Sequence, residues 1–324
     1  MKSELQLTPP LEPIRPEMER VEGLLHETLA RVEEPLQSML RPLTDGGKRC
    51  RPALVILGGR MFAPFGSPFR ILAAAVEMLH TATLIHDDLV DKADLRRGQK
   101  TLHTIWPVGA TVLAGDYLLA RSVSMIAGLE DCRLVKIFAE TLCTLCAGEI
   151  REMCVTEGKH RSREEYYISV EAKTASLFAA AMEMAGILAG AEEGHVATLG
   201  RYGRELGMAF QIVDDVLDFT GDEEKLGKPA GSDLRQGLVT LPTLCYLEKA
   251  TDDVAVNAVL SGQWDEEHMR AAIEAVCSSG AIEASLAEAR AHAMRAQEAL
   301  AGLPDNASRG MLYSLAEFVV ERGY

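Results

Sequence analysis

The stretch from Leu84 to Gly98 sets three aspartates, Asp87, Asp88 and Asp91, on an apolar run and follows them with Arg96 and Arg97. On a helix, residues four apart lie one turn apart on the same side, so the carboxylates of Asp87 and Asp91 converge. Like charges at that spacing cost about 0.2–0.5 kcal/mol per pair unless something cancels them. A hard divalent cation does so. Mg²⁺ takes one or two protein carboxylates and completes its shell with water and phosphate oxygens, and the guanidinium pair just beyond is suited to bidentate phosphate contact. A second copy of the pattern lies in Phe210 to Phe219, with Asp214, Asp215 and Asp218 again inside an apolar helical run, where charge is costly without a partner. One such cluster is equally well read as a solvated acidic helix end. Two, each walled by Leu, Val, Ile and Phe, imply a cavity for several metal ions and a phosphate-bearing ligand.

The rest of the chain reads as all-α. Of its 324 residues, 48% are hydrophobic but only 5% aromatic, a composition of helices packed on helices, and period-two alternation is almost absent. No Gly/Ser/Pro-rich linker divides the sequence, so one large domain is expected over 17–324. Residues 1–16, with Pro9, Pro10, Pro13 and Pro16, read as a flexible arm. Apolar periodicity predicts helices near 17–40, 68–91, 110–129, 132–155, 164–191, 265–279 and 281–301, with Ser162 and Glu165 forming a capping box. The net charge of −15 argues against a nucleic-acid partner. Seven cysteines, scattered through apolar segments, suggest reduced core thiols in a cytoplasmic protein. Cys143 and Cys146 have a metal or redox spacing but no second pair, and are read as core packing. The start lacks the basic region and apolar core of a signal peptide. Ala175 to Ala191, interrupted by Glu183, reads as a buried helix and not a membrane span.

Three further constellations carry cations or polar groups that want an anion. In Thr44 to Pro52, Gly46 and Gly47 free the backbone to approach a ligand, and Lys48, Arg49 and Arg51 stand near a helix N-terminus. Glu77, His80, Thr83, Asp87 and Asp91 fall along or near one helical face. Lys173 and Thr174 interrupt an apolar helix, where an ammonium is costly without a counter-charge. Gln211, one turn before Asp214, could turn its amide oxygen to the same cavity, and Lys228 lies in a Gly/Pro-containing loop.

In this order the motifs resemble the trans-polyprenyl (isoprenyl) diphosphate synthases, from about Gly46 to Thr243. The resemblance implies a single large helical bundle around a central cavity, of isoprenoid synthase type. It also implies condensation of isopentenyl diphosphate with an allylic diphosphate (dimethylallyl, geranyl, farnesyl or geranylgeranyl) by Mg²⁺-assisted ionisation, condensation and proton loss. Gly47, Lys48, Arg51, His80 and Arg97 would then hold isopentenyl diphosphate, and Arg96, Lys173 and Lys228 the allylic diphosphate. Thr174 and Gln211 would lie by the developing cation. About three Mg²⁺ ions would be held by Asp87, Asp91 and Asp214, with Asp218 completing the second cluster. Asp88 and Asp215, about 100° round the helix from their neighbours, should matter less. Leu238 stands where many members carry a second lysine, which leaves one cation fewer for the allylic diphosphate.

Members that stop at farnesyl generally place a bulky aromatic four or five residues before the first aspartate; here those positions are Thr83 and Ala82. Leu79, Met78 and Ala75 below them offer no plug, although Phe138 or Met125 could supply a floor. The expected product is therefore longer than geranylgeranyl, in the hexaprenyl to decaprenyl range. A homodimer is implied, with helices between about 110 and 155 as the interface, together with transient membrane contact for product release. Three rivals fit less well. A terpene cyclase has no use for the Gly47 to Arg51 motif; a di-iron bundle would need two Glu-x-x-His motifs on facing helices; a non-catalytic partner subunit typically loses one aspartate cluster.

Overall fold

The computed structural model describes residues 7–44, 47–96, 98–155, 162–221, 229–250 and 253–321. Among them the regular structure is helical except for one hairpin, in which Leu95–Arg96 pairs antiparallel with Gln99–Lys100, Leu95 opposite Lys100. The all-α expectation therefore holds. By proximity of Cα atoms the chain divides into two compact units, the first comprising Met1–Thr141, Leu177–Gly203 and Ala299–Leu315, the second Leu142–Ser176, Arg204–Glu298 and Ala316–Tyr324.

The first unit is organised on the helix Ser67–Val90. Pro68 in its first turn lacks an N–H that would have no partner there anyway, and Leu72, Val76, Leu79 and Ile85 are buried along it. Its end is a Schellman motif: Lys92 takes a left-handed φ of 52°, and the N–H groups of Lys92 and Ala93 return to the carbonyls of Leu89 and Asp88. That stop fixes Asp87, Asp88 and Asp91 in the last turn. The helix Val108–Ala127 packs on this one at Gly115, where a Cβ would lie 2.3 Å from His86 Nε2 and would push that ring aside.

The second unit buries Tyr166, Val170, Met208, Ile212, Val216, Leu241, Leu244 and Val276 in one cluster. At roughly 1.5–3 kcal/mol per fully buried large apolar side chain, this wall can hold carboxylates out of water. The helix Glu193–Thr220 carries Asp214, Asp215 and Asp218 near its C-terminal end. The capping box at Ser162 is formed: Ser162 Oγ accepts from the Glu165 N–H at 3.1 Å, and Glu165 Oε2 from the Ser162 N–H at 2.8 Å. It opens the helix Arg163–Val170, which continues as a π-helical turn over Glu171–Ala175 before Ser176–Leu188.

Several expectations are corrected. The flexible arm does not extend over residues 9–14: Pro9–Ile14 is a 3-10 turn with Leu11 and Ile14 fully buried, because the prolines preset φ and the apolar side chains between them have a core to fill. The first helix is two, Arg15–Ala30 and Leu36–Leu40, parted at Pro35, which has no N–H to continue the ladder. Cys143 and Cys146 are exposed, as are Cys132 and Cys154; only Cys245 is buried. None of the seven is in a disulfide. The helix Ser67–Val90 is long and apolar enough to cross a membrane, but 67% of its most apolar window is buried inside the protein, as in a core helix.

Candidate active site

In the first unit the three aspartates of the Ser67–Val90 helix separate by environment. Asp87 is half-buried and Asp91 exposed. Asp88 is buried and accepts from Arg96 Nε at 2.6 Å. Burial raises the Asp88 pKa and the Arg96 guanidinium opposes it, the net direction being upward. Arg96, expected as a phosphate ligand, is thus tied to a carboxylate by a hairpin that curls back over the helix end. Arg97 and Lys228 lie outside the described residues.

The basic turn divides its three cations. Gly47 has φ 98°, a conformation that favours glycine. Arg49 caps the helix Cys50–Arg60 with φ 49°, and its guanidinium is buried, with Nε 2.6 Å from Glu22 and Nη1 2.6 Å from Glu77. Arg49 is therefore structural, and Glu77 is occupied by it. Lys48 and Arg51, the two expected to meet a diphosphate, are half-buried, and the Arg51 guanidinium stands 4.8 Å from the Phe178 ring centroid. His80 is half-buried, with its carbonyl accepting from the Thr83 hydroxyl at 2.8 Å. His103 Nδ1 lies 3.2 Å from the Thr101 hydroxyl.

In the second unit Lys173 lies on the π-helical turn, its ammonium 2.8 Å from Glu149 and also paired with Glu152. Burial lowers the Lys173 pKa, but the two carboxylates outweigh it and the net direction is upward. Gly148 lets the helix Cys132–Val155 come this close, since a Cβ there would sit 2.6 Å from that of Ala172. Sequence reading missed Glu149 and Glu152. Their three-residue spacing on one helix was visible, but not the lysine they face.

Asp214 is half-buried, as a ligand for a solvated cation should be. Asp218 is not placed as expected: it is 2% exposed, and its Oδ2 accepts from the Asp233 N–H at 3.1 Å while its carbonyl accepts from the Gly231 N–H. Through Oδ2 and its carbonyl it anchors the chain that re-enters at 229–235. Asp215 is also different from expectation. It does turn away from Asp214, but into the core, 3% exposed, where it accepts from Tyr166 and Gln211. Burial, then nearby Asp233, raise its pKa well above the usual range, against the lowering effect of those two hydrogen bonds. Gln211 Oε1, expected to face a cavity, accepts from Thr174 Oγ1 at 2.7 Å.

Among the described residues no three His, Cys, Asp or Glu side chains group closely enough to hold a metal by themselves. The accessible donors are the oxygens of Asp87, Asp91 and Asp214, hard ligands that fit Mg²⁺, a cation that draws the rest of its shell from water and phosphate.

The Polyprenyl synthetase family model matches residues 33–276. The chain is 40% identical over 314 residues to heptaprenyl diphosphate synthase component 2 of Geobacillus stearothermophilus, covering 93% of this chain and 98% of that protein. It is 35% identical over 309 residues to a short chain isoprenyl diphosphate synthase of Methanothermobacter thermautotrophicus, covering 94% and 93%. The crystal structure of a polyprenyl synthase from Caulobacter crescentus, complexed with calcium and isoprenyl diphosphate, is similar with a TM-score of 0.91 at 34% identity, over 97% of each chain. With both aspartate clusters, the basic turn and the Lys-Thr pair in family order, the chain belongs to the polyprenyl synthetase family and is a prenyltransferase.

Proposed function

We propose that this prenyltransferase condenses isopentenyl diphosphate with an allylic diphosphate, head to tail and in trans geometry, to a polyprenyl diphosphate longer than geranylgeranyl. The observation that carries this reading is the separation by burial within each cluster: Asp87, Asp91 and Asp214 keep access to solvent, while Asp88, Asp215 and Asp218 are buried. About three Mg²⁺, bound with the substrate, would supply the charge neutralisation that makes diphosphate a leaving group. Asp87, Asp91 and Asp214 hold them. Lys173, with Arg96 and Lys228, adds fixed positive charge to the allylic diphosphate. Lys48, Arg51, His80 and Arg97 bind isopentenyl diphosphate so that its double bond meets the allylic carbon. Thr174 and Gln211 offer oxygens to the cation, and no side chain need form a covalent bond; the released pyrophosphate takes the final proton.

The length of the product rests on Ala82 and Thr83, neither aromatic, and on the heptaprenyl activity that the 40%-identical relative's name states. Residues 17–324 act as one domain, as supported by a family match that crosses both compact units, in the cytoplasm. A homodimer is supported by Leu113, exposed at 67% on the helix Val108–Ala127, and Ile150, exposed at 61% on Cys132–Val155. The word "component" in that relative's name favours a second reading, in which the chain works with a different subunit. Incubation of the purified chain alone with Mg²⁺, isopentenyl diphosphate and C5 to C20 allylic primers, with product chromatography and light scattering, tests both. A dimer making products beyond C20 supports the proposal. Products ending at C15 or C20 refute the length, and a monomer refutes the homodimer.

A further inference from the structure

The hydrogen bonds around Asp215 run in one direction. The Tyr166 hydroxyl donates to Asp215 Oδ2 at 2.6 Å, Gln211 Nε2 donates to Asp215 Oδ1 at 2.8 Å, and Thr174 Oγ1 donates to Gln211 Oε1 at 2.7 Å. Both Asp215 oxygens accept, one from Tyr166 and one from the Gln211 nitrogen, and the Gln211 amide oxygen is thereby turned to Thr174. Threonine has one hydroxyl proton. Once it is given to Gln211, the oxygen can only accept. The members come from the helix Arg163–Val170, the π-helical turn Glu171–Ala175 and the helix Glu193–Thr220, and Tyr166, Asp215 and Thr174 are all buried.

We infer that Tyr166 and Asp215 are positioning residues that lock the orientation of the Gln211 amide and thereby fix Thr174 as an acceptor toward the allylic carbon as it becomes cationic. The inference rests on the prenyl-transfer reading above. Its physical content is a sign. With the amide as it stands, the Thr174 lone pairs lie at the negative end of a preorganised chain of dipoles, which favours positive charge and offers no nucleophile strong enough to trap it. With the amide turned over, its NH₂ would face Thr174, the hydroxyl would accept from it, and the hydroxyl proton would be free to point at the cation. Asp215 forbids the second arrangement, and Tyr166 holds Asp215. Neither residue needs to touch substrate.

The test uses the full chain with Mg²⁺ and both diphosphates. Tyr166→Phe removes the donor to Oδ2, and Asp215→Asn keeps the volume but lets either edge of the amide face it. Each should lower kcat by about tenfold to a hundredfold while the KM for both substrates stays within about twofold. In a Thr174→Val background neither should lower kcat further, because both act through that hydroxyl. Losses that multiply in full with Thr174→Val, or that fall on KM, overturn the inference. A measurement independent of turnover monitors the side-chain amide of Gln211 by NMR after glutamine ¹⁵N labelling, assigned by its loss in Gln211→Ala. Slow amide proton exchange in the native chain and fast exchange in Tyr166→Phe support the lock; fast exchange in both overturns it. A locked amide in a protein that forms no prenyl product would refute the transfer reading and, with it, the role given to the lock.

Discussion

The ammonium of Lys173 lies 2.8 Å from a carboxylate oxygen of Glu149, with Glu152 on the same ammonium. A diphosphate that needs this cation must compete with both. Replacing Glu149 by Gln removes one competitor without changing the side chain's size. The expected result is tighter binding of inorganic pyrophosphate with Mg²⁺ by calorimetry, about fivefold on the scale of a partly exposed ion pair. Unchanged affinity would mean that the ammonium does not leave its carboxylates for the ligand.

Arg49 and Arg51 are two residues apart and have different work. Arg49 joins Glu22 to Glu77 in the core, its side chain only 4% exposed, and breaking a buried pair from one side costs about 3–5 kcal/mol. Arg49→Ala should therefore shift the urea midpoint strongly. Arg51→Ala should leave the midpoint nearly in place and raise the KM for isopentenyl diphosphate. Equal effects of the two on stability would show that the basic turn is not divided in this way.

Glu205 supplies a pH dependence. Burial raises its pKa, but hydrogen bonds from His292 Nδ1 at 2.7 Å and Arg295 Nε at 2.9 Å outweigh burial and hold it at about 2. A carboxyl depressed in the folded state contributes stability that is fully present above its unfolded pKa, about 4.3, and lost as pH falls through the folded value. The stability difference between the native chain and Glu205→Gln should be largest above pH 5 and shrink steadily towards pH 2. A difference that stays constant across this range would contradict it.

Product length is tested on the aspartate helix. Ala82 is 2% exposed whereas Thr83 is half-buried, so a phenylalanine at 82 would overpack the core, at a cost of about 1–3 kcal/mol. Thr83→Phe is the cleaner probe. It should shorten the product towards farnesyl or geranylgeranyl and spare the first condensation, as read by product chromatography; an unchanged length would move the floor to another helix.

Much of this was legible in the sequence. The predicted helices at 68–91, 132–155 and 281–301 are found at Ser67–Val90, Cys132–Val155 and Ala281–Leu300, because their apolar spacing is regular and their ends carry stop signals. The helical rotation per residue also separated Asp88 from Asp87 and Asp215 from Asp214. It could not say where the diverging carboxylates go. Asp88 meets Arg96 eight residues on, through a hairpin too short to show a strand pattern, and Asp215 meets Tyr166 across 49 residues of chain. Asp218 has the same motif position as Asp91 yet is buried, since the chain comes back to it at Asp233, whose N–H donates to its carboxylate. The exposure of Cys143 and Cys146 was misread because an apolar helix was assumed to bury every apolar residue it carries.

The central claim is that two separate aspartate clusters serve one metal-dependent prenyl transfer. Its most direct test is the incorporation of labelled isopentenyl diphosphate by the native chain, Asp87→Ala, Asp214→Ala and Asp218→Asn, titrated with Mg²⁺ and then stripped of it by chelation. The account predicts that the native chain elongates an allylic primer only with Mg²⁺. Asp87→Ala and Asp214→Ala should each lose roughly a thousandfold or more with the fold retained, and Asp218→Asn should lose stability before its metal dependence changes. Near-native incorporation by Asp87→Ala or Asp214→Ala, or no incorporation by the native chain with any primer, would contradict it.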